Sequence, residues 1–141
     1  NLDYKNNLIK MINKYNLQDN IYFKKAEYNY ENLYNLFKKC HLGIGSLSLE
    51  LANSYYRSEL KIREYCASGL PFIYNARDLD FPINFKYAYN IRSKKIDLKK
   101  IINWYNELPQ DIPITLNKYA KSKIDYNVKI DNLLTKLELW K

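Results

Sequence analysis

Ser58, Glu59, Leu60, Lys61 and Glu64 are the residues of this chain whose types and spacing could do chemistry. Ser58 is a preferred N-cap type, and the run from it through Gly69 to Pro71 reads as a capped helix, a glycine stop and a proline that blocks continuation. A helix start presents unpaired backbone N–H groups and a partial positive charge. The turn at Ser58, Glu59 and Leu60 can therefore receive a diphosphate without special side chains. Lys61 adds a full positive charge in that first turn. Glu64 lies about 9 Å from Ser58 along the axis at about 1.5 Å per residue, and its two oxygens match the two donors of a vicinal diol such as that of a ribose.

The same run also fits an ordinary amphipathic helix. In that reading Leu60, Ile62, Tyr65 and Cys66 face a core, while Lys61, Arg63 and Glu64 are solvated. Both readings stand on the pattern alone, and the surrounding elements have to decide between them.

Those elements alternate. Leu8, Ile9, Met11, Ile12 and Tyr15 give helical periodicity over 3–16, with a stop at Asn16 or in 18–20. Ile21-Tyr22-Phe23 reads as a short strand, 30–39 as a helix, 41–46 as a strand ending in Gly45 and Ser46, and a loop with Asn53 and Ser54 leads to the helix from Ser58. Then come a strand at 72–75, a loop containing Pro82, a strand at 87–91 and a helix over 97–107. Strands alternating with helices predict an α/β fold, a Rossmann-like parallel sheet with helices on both faces and right-handed crossovers. The chain ends in helices only, one from Pro113 to about Ser122 and one over 127–140 with Val128, Ile130, Leu133, Leu134, Leu137 and Trp140 near one face. The expected division is a nucleotide-binding domain over 1–110 and C-terminal helices over 111–141, packing on it or returning toward another domain.

Composition narrows the function classes. The chain has 141 residues and a formal charge of +8, from 23 Lys and Arg against 15 Asp and Glu. The lysines are scattered, without the arginine clustering of a dedicated nucleic-acid binder, and the short runs Lys94-Lys95 and Lys99-Lys100 read as a solvated helix start. No nucleic-acid partner is expected. Cys40 and Cys66 lack metal-ligand spacing and His41 is the sole histidine, so no metal is expected, and the cysteines read as small hydrophobes. No apolar run approaches the roughly 18 residues that span a bilayer, and no signal peptide is visible. The expectation is a cytoplasmic domain, cut or processed from a larger chain because a helical pattern begins at once without methionine.

The pattern Ser58-x-x-Lys61-x-x-Glu64-Tyr65-x-Ala67-x-Gly69-x-Pro71 resembles a region in the C-terminal domain of the retaining glycosyltransferases of the GT-B fold, with their glycogen-synthase-like relatives. Residues 17–23 resemble the L-x-D-N-V-x-F segment of that family, and residues 33–44 its helix and buried strand before the donor loop, so the likeness runs over about 5–110. The resemblance implies a donor-binding half that moves a sugar from a nucleotide-diphosphate sugar to a saccharide or lipid-linked acceptor, in surface polysaccharide or glycoconjugate assembly. It implies Lys61 and Glu64 at the catalytic centre, the first neutralising leaving-group charge and the second holding the ribose. Ser58, Glu59 and Leu60 would offer N–H groups to phosphate, Gly45 and Ser46 would form the close-approach loop, and Ala26 and Glu27 would line the base site. No cofactor beyond the sugar nucleotide is implied. The partners implied are an N-terminal domain of the same chain and the acceptor, with peripheral association at the inner face of the membrane.

The chain departs from the family's pattern. Tyr56 stands where many relatives carry a first glutamate, leaving Glu50 or Glu59 to substitute, and Lys24-Lys25 replaces a glycine. The chain is also expected to begin after the family's first C-terminal-domain strand and the basic pair that grips the diphosphate, and loss of that grip and of the first glutamate motivates an alternative, a non-catalytic nucleotide- or partner-binding module derived from such a domain. A receiver-like domain fits less well, because Asp78 and Asp80 are in the wrong place for its acidic cluster.

Overall fold

In the computed structural model, which describes residues 2–47, 56, 58–91 and 95–138, the chain forms two compact units, 1–30 and 31–141. The first unit is built on α1 (Leu2–Lys14). Its stop is local chemistry. Asn16 takes φ +53°, Leu17 N–H reaches Ile12 O at 3.0 Å and Asn16 N–H reaches Asn13 O at 3.3 Å, the paired bonds of a Schellman ending. Among the described residues of this unit Ile12 is the buried hydrophobic one. Ile21, Tyr22 and Phe23, expected as a strand, form none and are all exposed. Their β-prone side chains find no ladder partner, and a strand exists only through pairing with another.

In the second unit a three-stranded parallel sheet has the order β1 (Gly43–Ile44), β2 (Phe72–Tyr74), β3 (Ala88–Asn90). The expected strands are present but shorter than the sequence suggests. α2 (Tyr30–Phe37) precedes β1, α3 (Leu60–Ala67) follows it, and α4 (Leu98–Asn106), α5 (Ile112–Tyr119) and α6 (Tyr126–Glu138) complete the chain. Pro113 sits in the first turn of α5, where its missing N–H costs nothing. Between α5 and α6 the helix widens into a π-turn over Ala120–Ile124, closed by Asp125 N–H on Ala120 O at 2.9 Å.

β2 is covered on both faces, as its period of two requires. Phe72 and Tyr74 join Ile62 and Cys66 of α3, Leu116 of α5 and Ala120 in the main core. Ile73 points the other way and packs with Ile91, Ile101 and Trp104, the last two from α4. The fold is therefore α/β with a small parallel sheet sandwiched between helices. Aromatic contacts knit the main core: Phe72 meets Phe81 edge-on with centroids 5.2 Å apart, and Tyr119 lies against Phe85 at 4.6 Å. On α6, Leu133, Leu134 and Leu137 of the expected apolar stripe are exposed, and Trp140 lies outside the described residues.

Among the described residues no helix is long and apolar enough to cross a membrane.

Candidate functional site

The crossover from β1 to α3 gathers the candidate residues. Gly45 N–H donates to Ile73 O at 2.8 Å and carries the β1–β2 ladder one step past the strand, while Ser46 O accepts from Asn75 N at 2.9 Å. A Cβ on Gly45 would lie 2.8 Å from Ile62 Cγ2, so a bare backbone is what lets the strand end approach α3. Ser46 N–H donates to Glu59 Oε2 at 2.8 Å. Gly45, Ser46 and Glu59 are thus brought together, and both loop N–H groups are engaged inside the protein.

That bond corrects the expected helix start. Glu59, not Ser58, occupies the N-cap position, with extended φ −93° and ψ 123°, and its side chain makes no capping bond. Its carboxylate is turned to Ser46 instead, and Ser58 stands exposed one residue outside. Glu64 is then about 7.5 Å from the cap at about 1.5 Å per residue. Leu60, which the amphipathic-helix reading places against a core, is 70% exposed. Lys61 is exposed and Glu64 half-exposed, and neither charged head bonds to another side chain among the described residues. Ala26 and Glu27 belong to the first unit and are exposed, with Glu27 Oε1 accepting from Asn29 N–H at 2.9 Å. Glu50, Asn53, Ser54 and Lys94 lie outside the described residues.

The other end of α3 behaves as expected. Gly69 takes φ +77°, Leu70 N–H reaches Tyr65 O at 2.9 Å and Gly69 N–H reaches Cys66 O at 3.1 Å, which closes a Schellman motif. Cys66 is wholly buried, and burial pushes its thiol up to about 12, so it acts as a small hydrophobe whose S–H donates to Leu116 O. Cys40 and His41 line a cleft of about 510 Å³ by the amino ends of the strands, together with Gly69, Tyr105 and Pro113.

Sequence reasoning missed a charge cluster beside the first turn of α3. Arg63 makes a two-pronged pair with Asp78, Nη1 to Oδ2 and Nη2 to Oδ1 each at 2.9 Å, and also binds Asp80 and, at 3.0 Å, Glu59 O. Lys129 of α6 binds the other oxygen of Asp80. Asp78 is 3% exposed. Burial works to lower the Arg63 pKa, but its bonds and attraction to Asp78 and Asp80 outweigh that and leave it above its ordinary value. For Asp80 burial works upward, and the Lys129 and Arg63 contacts outweigh it, holding the carboxyl below the usual range. Asp78-Leu79-Asp80 has the Asp-x-Asp pattern, yet cationic side chains already grip its carboxylates. No group of three or more His, Cys, Asp or Glu able to hold a metal occurs among the described residues.

The arrangement offers an exposed helix start and two uncommitted heads, Lys61 and Glu64, beside a rigid ion-paired frame. Comparison with known proteins finds no matching family model, no matching curated protein and no matching solved structure.

Proposed function

We propose that the chain is the donor-nucleotide-binding half of a GT-B-type glycosyltransferase, moving a sugar from a nucleotide-diphosphate sugar to a saccharide or lipid-linked acceptor. The observation that carries this reading is the position of α3. It follows β1 in a parallel sheet, so its first turn lies by the carboxyl ends of the strands, where open α/β sheets take their ligands. Glu64 points a carboxylate from that helix with no side-chain partner among the described residues, which suits it to a ribose diol. The N–H groups of the first turn and the Lys61 ammonium would take the diphosphate and stabilise it as it departs. In this reading the sheet is the Rossmann-like half of the GT-B fold, and a second domain of the full protein brings the acceptor and excludes water. The setting would be the cytoplasmic face of a membrane where surface glycans are assembled.

Tyr56 favours a second reading. It stands where a donor-touching glutamate would be, which suits a module that binds nucleotide without turning it over.

Calorimetric titration with UDP, GDP and ADP tests both. The expected result is saturable binding of one nucleotide, weakened roughly tenfold or more in Glu64→Ala, the loss of hydrogen bonds to a charged acceptor. Equal affinity in the variant would remove Glu64 from the site, and no binding of any nucleotide would count against the donor-half reading. Binding without transfer by the full-length protein would select the second reading.

A further inference from the structure

Between α3, the segment after β2 and α6 lies a cavity of about 300 Å³, lined among others by Tyr56, Ser58, Arg63, Arg77, Asp80 and Lys129. That volume is at the lower end of the roughly 300–1,000 Å³ typical of small-ligand sites. Its charges are unequal in availability. Arg63 is consumed by Asp78 and Asp80, and Lys129 by Asp80. Arg77 makes no ion pair or hydrogen bond through its side chain among the described residues. Its guanidinium lies over the Tyr56 ring, 5.4 Å from the centroid. Among the described residues that line it, three cations stand against Asp78 and Asp80, which leaves one positive charge, that of Arg77, without a carboxylate partner.

The backbone that presents Arg77 is held from both sides. Residue 77 bridges Tyr56 in a parallel pairing, and the next residue, Asp78, is clamped by Arg63 and accepts the Asp80 N–H at 3.0 Å. Arg77 is exposed, and with its guanidinium over an aromatic ring and its backbone bridged it presents a planar fork that matches oxyanions with two adjacent oxygens. The nearby carboxylates of Asp78 and Asp80 are already bound by Arg63 and Lys129.

We infer that Arg77, with the Ser58 hydroxyl at the cavity rim, forms a subsite for a phosphate-class oxyanion. If the function proposed above holds, its occupant is the diphosphate of the sugar nucleotide, and Arg77 is the positioning cation for it. The subsite itself does not depend on a base or a sugar.

Calorimetry with inorganic pyrophosphate on the chain, on Arg77→Gln and on Arg77→Lys separates the cases. Pyrophosphate affinity is expected to fall roughly tenfold in Arg77→Gln and measurably in Arg77→Lys, which keeps the charge and loses the fork. Failure of pyrophosphate to bind the parent chain, or equal affinity in Arg77→Gln, overturns the inference. Pyrophosphate binding that Arg77→Gln weakens, with no nucleotide binding at all, upholds the subsite and removes the donor-half reading. Nucleotide binding that Glu64→Ala weakens and Arg77→Gln does not touch has the opposite meaning.

Discussion

The two ends of α3 are built on opposite principles. At its carboxyl end Cys66 and Leu70 are buried, the chain turns through a left-handed glycine, and Gly69 lies so close to α5 that a Cβ would sit 2.6 Å from Pro113 Cα. At its amino end Leu60 is exposed, the cap side chain is lent to a neighbouring loop, and the contacts are ionic. One end spends its residues on packing, which is non-directional and tolerates no ligand. The other leaves backbone and charged groups facing solvent, held by the buried Ile62 and by a frame of charges beside it. A helix anchored at one end in this way can offer the other to a ligand without moving.

The ionic end should be broken most severely by Arg63→Ala. It strands Asp78, whose side chain is 2% exposed, and takes one of the two cations from Asp80. Leaving a buried charge unpaired typically costs about 3–5 kcal/mol, to be read as a lower midpoint in urea unfolding. Because the folded-state pKa of Asp80 is depressed, the stability it contributes is fully present above the ordinary carboxylate value near 3.9. It is lost as pH falls through the lowered folded value. The penalty measured for the variant should therefore shrink in acid. A pH-independent penalty would mean that Arg63 acts through packing of its stem.

At the packed end Gly69→Ala is expected to cost about 2–4 kcal/mol, combining left-handed backbone strain with overpacking against Pro113. The loss should be the same in acid and at neutrality, since no charge takes part. A cost below about 1 kcal/mol would show that α5 yields to the added methyl group, and the contrast between the two ends would then be one of chemistry alone.

What the sequence announces and what it hides follow the same division. Gly69 and Pro71 stop α3, Asn16 stops α1 and Asp97 starts α4, because each acts on backbone groups within a few residues of itself. The buried face of β2 was also legible, as a continuous apolar run beside a glycine stop. The Arg63 cluster was not, since its partners lie 15, 17 and, for Lys129 to Asp80, 49 residues apart. No spacing rule for helices or strands reaches so far. Ile21-Tyr22-Phe23 failed for the converse reason: local β preference is real, but the partner that would realise it is a tertiary matter.

The start of α3 shows how narrow that margin is, and a pair of substitutions measures it. Ser58 and Asp97 are both good cap types placed just before apolar periodicity, and the sequence gives no ground for treating them differently. Asp97 does cap, accepting from Lys100 N at 3.2 Å, whereas Ser58 is displaced by Glu59, which the Ser46 N–H draws toward the loop. Asp97→Ala should therefore cost about 1 kcal/mol and Ser58→Ala no more than about 0.5 kcal/mol, the usual scale for exposed substitutions without a special role. Equal losses in denaturant unfolding would mean that Ser58 caps α3 in solution and that Glu59 is free. The amino end of the helix would then be closed to phosphate by its own side chain, and the lysine and glutamate beyond it would have to act without those N–H groups.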